Sequence, residues 1–169
     1  MTRFPLRRLR LRYGDEHRDV VAVELEPFEL GGQSYLPVPQ EVEAALTLVQ
    51  ATTGLDLQFS FDARLHGPCM RCLADAVVDV PVDVREYHAA DAGADEELRS
   101  EYVVDDQIEL SAWARDAIAL ALPDQILHDP DCFGLCPVCG KDLNVEPHTH
   151  DDVGGDPRWS ALQELKDRL

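Results

Sequence analysis

Residues 55–65 read LDLQFSFDARL. Leu55, Leu57, Phe59, Phe61, Ala63 and Leu65 alternate without a break with Asp56, Gln58, Ser60, Asp62 and Arg64. A period of two sends successive side chains to opposite faces, so this stretch is a strand with one apolar and one polar face. Downstream, residues 76–87 repeat the pattern, with Val78, Val80, Val82 and Val84 on one face and Asp79, Pro81 and Asp83 on the other. Pro81 has no N–H to give a ladder, which predicts an edge or solvent-facing position. Upstream, Val21, Val23 and Leu25 alternate within RDVVAVELE, residues 18–26, and predict a third strand. Residues 42–49 fit a strand through Val42, Ala44, Leu46 and Leu48, or a helix through Val42, Ala45, Leu46 and Val49. The strand is preferred because Thr52-Thr53-Gly54 follows as a turn. Residues 29–39, with Gly31-Gly32 and two prolines, are expected as a loop.

Beyond the strands the periodicity changes. Residues 89–106 hold seven acids and one arginine among alanines, and are expected as a solvated, mobile loop without chemistry. Ser111 is the expected cap of a helix at 112–122, ended by Pro123 and apolar nearly all round through Trp113, Ile118, Leu120 and Leu122, hence buried. Asp156 and Pro157 open a terminal helix, 157–168, whose stripe of Trp159, Leu162, Leu165 and Leu169 is expected to face the core. The fold class expected is α+β: an antiparallel β meander or partly closed barrel with a buried helix, a C-terminal helix and zinc knuckles tying the halves.

The chain has 169 residues, a length that favours a single domain, and a formal net charge of −18. Charge is unevenly placed. Arg3, Arg7, Arg8, Arg10 and Arg12 stand in the first twelve residues with no acid among them, while the rest holds 10 basic and 33 acidic residues. The expected organisation is therefore a basic N-terminal arm, 1–17, and one domain, 18–169. An acidic body repels phosphate backbones, which argues against a self-sufficient nucleic-acid binder. The five arginines are candidates for contact with RNA or an acidic partner, or they lie against their own acidic body. No apolar run approaches the ~18 residues of a membrane span, and the opening stretch lacks the apolar region of a secretory signal, so the expected location is cytoplasmic.

Five cysteines in such a compartment are thiols or metal ligands rather than disulfides. Cys69-Met70-Arg71-Cys72 lies between the two best strands, and Cys136-Pro137-Val138-Cys139-Gly140 in a Gly/Pro-rich loop after the helix. Two C-x2-C turns supply four thiolates, the soft tetrahedral set that suits structural Zn²⁺. A redox C-x-x-C belongs at a helix N-terminus, a context missing at Cys69. Cys132, His128, His148 and His150 crowd the second turn within the segment 128–152. One arrangement is a single site of Cys69, Cys72, Cys136 and Cys139, and it is the favoured one, because an H-x-H in an acidic loop is more often solvated. The other has two sites: Cys136, Cys139, His148 and His150 in one, and Cys69, Cys72 and Cys132 with His128 or His66 in the other. There is no G-x-S-x-G, no Gly-rich phosphate loop and no H-E-x-x-H, and a four-thiolate zinc leaves no position for water, so no catalytic residue is assigned.

In this order, CMRCL at 69–73, LALPDQILHDPDC at 120–132, GLCPVCGKDLN at 134–144 and DPRWSALQELK at 156–166 resemble the YceD-type large ribosomal RNA subunit accumulation proteins. The resemblance implies a non-enzymatic role in the synthesis, processing or stability of 23S ribosomal RNA. It maps the family's cysteine pairs onto Cys69/Cys72 and Cys136/Cys139, and its upstream cysteine onto Cys132. Many members carry Cys-x-Cys where this chain has His148-x-His150. The partners expected are the large-subunit rRNA precursor or a preribosomal complex, reached through basic proteins, with no membrane and no small-molecule substrate. The alternatives are a zinc-stabilised protein adaptor without RNA contact and, after it, a metal-dependent hydrolase.

Overall fold

The computed structural model describes residues 1–90 and 98–150. The alternating stretch around residue 60 extends into β6 (Gly54–Pro68), which pairs along its whole length with β7 (Asp75–Ala89), from Gly54 opposite Ala89 to Pro68 opposite Asp75. The other side of β6 is shared. β5 (Glu41–Gln50) takes its first half and β4 (Gln33–Pro37) its far end. β2 (Glu16–Glu24) pairs with β5, and β3 (Phe28–Leu30) with β4. The result is an open antiparallel sheet of six strands, not a barrel: among the described residues β2 and β7 are each paired on one side only. Pro81 lies in β7, which is an edge strand among the described residues and so tolerates a residue without an N–H, as expected.

One face of the sheet is dry. Val42, Ala44, Leu46 and Leu48 of β5, Leu57, Phe59, Phe61, Ala63 and Leu65 of β6, and Ala76, Val80 and Val82 of β7 are buried there. Helix α1 (Leu110–Ala121) covers this face with Leu110, Trp113, Ala114, Ala117 and Ile118, spaced to share one helix side. The Trp113 ring stacks on Phe59, centroids 4.9 Å apart, and on Tyr102 at 5.8 Å. The helix is not apolar-buried all round, as expected from sequence: Leu120 is 87% exposed. Nor does Ser111 cap it. The helix starts at Leu110, two residues before the expected 112, and the Ser111 hydroxyl donates to the Glu24 carbonyl at 2.9 Å while accepting the Thr2 N–H at 2.8 Å.

Other expectations are corrected by pairing. Residues 29–39 are not a loop but contain the β3–β4 hairpin, because Gly31 and Gly32 adopt φ of 59° and 79°, the left-handed pair that a two-residue turn demands. The expected loop 89–106 includes the end of β7 and the short strand β8 (Val103–Val104). β8 pairs with β9 (Gln107–Glu109), which pairs in turn with β1 (Arg3–Pro5). The chain start is thereby laid on the body. Arg3 Nε donates to Glu109 at 2.9 Å and Arg7 Nε to Asp106 at 2.8 Å, and Phe4, Leu6, Leu9 and Leu11 pack against the core. Arg8, Arg10 and Arg12 alternate with Leu9 and Leu11, point outward and have no ion-pair partner among the described residues. The terminal helix expected at 157–168 lies outside the described residues.

Candidate metal centre

The six residues joining β6 to β7 form the first knuckle. The Cys69 N–H bonds the Ala74 carbonyl at 2.7 Å and the Leu73 N–H bonds the Cys69 carbonyl at 3.0 Å, with Leu73 at φ 64°. This tight loop turns both cysteines inward, and both are buried. Its entry is held by Tyr35, fully buried, whose hydroxyl donates to the Pro68 carbonyl at 2.8 Å. Gly67 lets the Tyr35 ring pass: a Cβ there would stand 2.7 Å from Cε1 and 2.8 Å from Cγ.

The chain after α1 returns to this loop. The Met70 N–H bonds the Ile126 carbonyl at 2.9 Å, and Arg71 reaches the Gln125 side chain at 3.0 Å and the Cys132 carbonyl at 2.9 Å. These bonds bring His128 and Cys132 to the first cysteine pair. Cys69, Cys72, His128 and Cys132 converge with all ligand atoms within 4.8 Å of one another. Cys69 Sγ lies 3.8 Å from Cys132 Sγ, and Cys72 Sγ lies 3.2 Å from His128 Nδ1. A disulfide would require about 2.05 Å. A tetrahedral zinc with bonds of about 2.3 Å to sulfur places two sulfurs about 3.8 Å apart. The donor set, the burial of three thiols and this sulfur spacing fit a tetrahedral metal ion.

Within this group the thiols are driven apart in acidity. Burial pushes Cys69 up, but hydrogen bonds from His128 and from the Arg71, Cys72 and His128 backbone outweigh it and bring it down to about 5. Burial pushes Cys72 up to about 11, and the neighbouring Cys132 and Cys69 sulfurs add to this. A cation held among these sulfurs would stabilise them all as thiolates. The Asn144 amide, 3.5 Å from Cys132 Sγ, supplies a further donor to sulfur.

The second knuckle is built differently. Gly140, at φ 72°, closes the turn, with its N–H on the Cys136 carbonyl at 2.8 Å and the Cys136 N–H on the Lys141 carbonyl at 2.8 Å. Cys136, Cys139, His148 and His150 form the second group with ligand atoms within 4.8 Å. Cys139 Sγ is 3.1 Å from His148 Nε2, and His148 Nδ1 is 2.7 Å from the Glu146 carbonyl. Backbone N–H groups of Cys139 and Val138, with the Cys139 and His148 side chains, overcome burial and lower the Cys136 thiol to about 6. The Glu146 carbonyl and the Cys136 sulfur raise His148.

The favoured single site of Cys69, Cys72, Cys136 and Cys139 is therefore not the grouping that the fold makes. Each cysteine pair gathers its own second half: the first takes His128 and Cys132 from the returning chain, the second takes His148 and His150 from its own loop. His66 joins neither group; it stands exposed on β6 opposite Leu36 and Val77. Sequence reasoning missed Asn144, Arg71, Gly67 and Tyr35, whose roles depend on contacts across the fold and leave no local pattern.

A family model described as large ribosomal RNA subunit accumulation protein YceD matches residues 57–166. Uncharacterized proteins of Mycobacterium tuberculosis (strain ATCC 25618 / H37Rv) and Mycobacterium bovis are each 40% identical over 104 residues, covering 59% of this chain and 49% of theirs. One of Mycobacterium leprae is 35% identical over 150 residues, covering 86% of this chain and 64% of its own. The chain thus spans about half to two-thirds of the length of these curated relatives. No solved structure matches significantly. The match takes in all but the first three residues of the β6–β7 hairpin, α1 and all eight clustered cysteines and histidines, and on it the chain belongs to the YceD family of large ribosomal RNA subunit accumulation proteins.

Proposed function

We propose that this chain is a non-enzymatic cytoplasmic factor for the accumulation of 23S ribosomal RNA, acting as a zinc-stabilised adaptor in a preribosomal complex. Family membership carries the ribosomal part of this reading. The Cys/His groups can hold a metal ion, and zinc is the ion whose chemistry suits thiolate and imidazole in a closed tetrahedral set. When bound there, it would stabilise the fold rather than activate water, since no fourth position is left open.

The surface supports contact through protein more than through RNA. The outward face of the sheet presents Glu41, Glu43, Asp62, Asp75, Asp79 and Asp83, all exposed, and Arg64 on that face is held by Asp79 at 2.6 Å. Such a face attracts basic proteins and repels a phosphate backbone. Arg8, Arg10 and Arg12 form the one outward row of unpaired cations near the chain start among the described residues, and serve as an auxiliary phosphate contact. Arg3 and Arg7 are engaged with the body and take no part. The test is depletion in cells: 23S RNA falls relative to 16S RNA, and isolated protein binds naked 23S fragments only weakly at physiological salt. An unchanged 23S to 16S ratio would refute the ribosomal reading, and tight, salt-resistant binding to naked RNA would refute the adaptor.

A further inference from the structure

One corner of the sheet's outward face is apolar. Leu36 of β4 lies opposite His66 of β6, and His66 lies opposite Val77 of β7, so the three form one row across three strands. Their chain neighbours Tyr35, Leu65 and Ala76 are buried, so strand alternation turns the row toward solvent. Leu36 is 52% exposed and Val77 48%. Val38, whose N–H bonds the Arg64 carbonyl at 2.9 Å, extends the apolar surface alongside and is exposed as well. On the β7 side the row opens into a groove of about 330 Å³. Its walls are Val77 and Val78 on the strand and Ile126, Leu127 and Pro130 on the segment that returns from α1. Single exposed apolar residues are ordinary on a surface, but a continuous row that leads into an apolar groove marks a contact surface.

The surroundings are acidic. Asp75 and Asp79 stand two residues either side of Val77 on the same face of β7, Asp62 borders Val38, and Asp129 lies between Leu127 and Pro130 in the groove segment. All four are exposed, and only Asp79 has a cation at ion-pair distance among the described residues, Arg64 at 2.6 Å. This pattern selects the occupant. A nucleic acid would bring phosphate against carboxylate. A second copy of the chain would bring the same acids together across a self-complementary contact. Residues 151–169 of the chain itself hold five acids against three bases, so they match the rim poorly.

Building on the reading that this acidic face meets basic proteins, we propose that the Leu36–His66–Val77 row and its groove are the docking surface for a basic protein segment with apolar side chains set between its lysines or arginines. The apolar anchors supply affinity as they are buried, and the charged rim supplies encounter rate and orientation. The groove needs little ordering on binding. Its outer wall is already fixed by the bond from the Met70 N–H to the Ile126 carbonyl and by the Arg71 side chain on Gln125 and the Cys132 carbonyl.

The test uses the purified full chain and a labelled synthetic peptide of lysine and leucine, followed by fluorescence anisotropy. A peptide of the same charge with serine in place of leucine should bind about tenfold more weakly. Leu36→Ser/Val77→Ser should cost the leucine peptide about tenfold and leave the serine peptide unaffected. Leu120→Ser/Val104→Ser removes the same residue types from exposed positions elsewhere and should change neither. Asp62→Asn/Asp75→Asn should flatten the salt dependence for both peptides. A photocrosslinker at the groove, Val77→p-benzoylphenylalanine, gives a readout that does not rely on the serine variants and should attach to the leucine peptide. None of these measurements depends on the 23S to 16S ratio, so the docking surface and the ribosomal reading can fail separately. Equal affinity for the two peptides, equal losses in the two double serine variants, or crosslinks confined to a second copy, to residues 151–169 or to an added 23S fragment would each overturn the docking surface.

Discussion

Gly67→Ala probes the joint between the sheet and the first knuckle. Gly67 lies in β6 opposite Ala76, with ordinary backbone geometry, so the substitution carries no conformational strain. Its cost is steric. The added methyl would meet the Tyr35 ring at Cδ1 and stand 2.7 Å from Cε1 and 2.8 Å from Cγ, on a side chain with no exposed surface. Tyr35 cannot tilt outward without releasing the bond from its hydroxyl to the Pro68 carbonyl. Overpacking costs about 1–3 kcal/mol and the lost hydrogen bond about 1 kcal/mol. Alanine returns roughly 0.5–1 kcal/mol over glycine in a strand. The net expectation is about 2 kcal/mol, which for a chain of this size lowers the melting temperature by about 4–8 °C. Thermal unfolding at fixed excess zinc reads this directly. Pro68 precedes Cys69, so zinc should also leave the buried group faster. In the Tyr35→Leu background the same substitution should cost nearly nothing, a coupling of about 2 kcal/mol between touching residues. A melting temperature unchanged by Gly67→Ala, or the same loss in both backgrounds, would show that the ring does not set the position of the knuckle.

Three further outcomes are expected. Replacing Arg8, Arg10 and Arg12 with Gln should reduce the salt slope of binding to a single-stranded 23S fragment by about 2, at roughly 0.7 per phosphate contact. Replacing Arg3 and Arg7, which are engaged with Glu109 and Asp106, should leave the slope unchanged, and equal slopes for the two variants would refute the assignment. Trp113→Ala should cost about 3–5 kcal/mol in a urea titration, because it removes the ring between Phe59 and Tyr102, whereas Leu120→Ala, 87% exposed, should be close to neutral. Burial, helped by Asp116 and Glu101, pushes the Tyr102 phenol up to about 12 from the ordinary 10. The folded state therefore holds this proton longer than the unfolded state. Its contribution to stability is fully present below pH 10 and is lost as pH rises through about 12, and Tyr102→Phe should remove that part of the alkaline decline.

The main strands and the ligand types were legible in the sequence, for a local reason. Alternation through Leu57, Phe59, Phe61, Ala63 and Leu65 is a property of one strand's own geometry, and it correctly chose the buried face of β6. The strand reading of Val42 to Val49 likewise agrees with β5, whose buried positions are Val42, Ala44, Leu46 and Leu48. C-x2-C turns announce thiolate pairs because two residues suffice to aim both sulfurs at one point. Which pair meets which histidine is a different kind of fact. It depends on where the chain after α1 comes back to the sheet, and that is set by bonds from Met70 and Arg71 to residues 125–132. Those residues are more than fifty positions apart, so no window of sequence contains both. The same holds for the arginines near the start: five equal charges in the sequence become two engaged and three outward ones only when β1 pairs with β9. Ser111 illustrates the competition most simply. Its residue type favours a helix cap, but tertiary structure offered its buried hydroxyl the Glu24 carbonyl and the Thr2 N–H, and two tertiary partners outweighed the one local role.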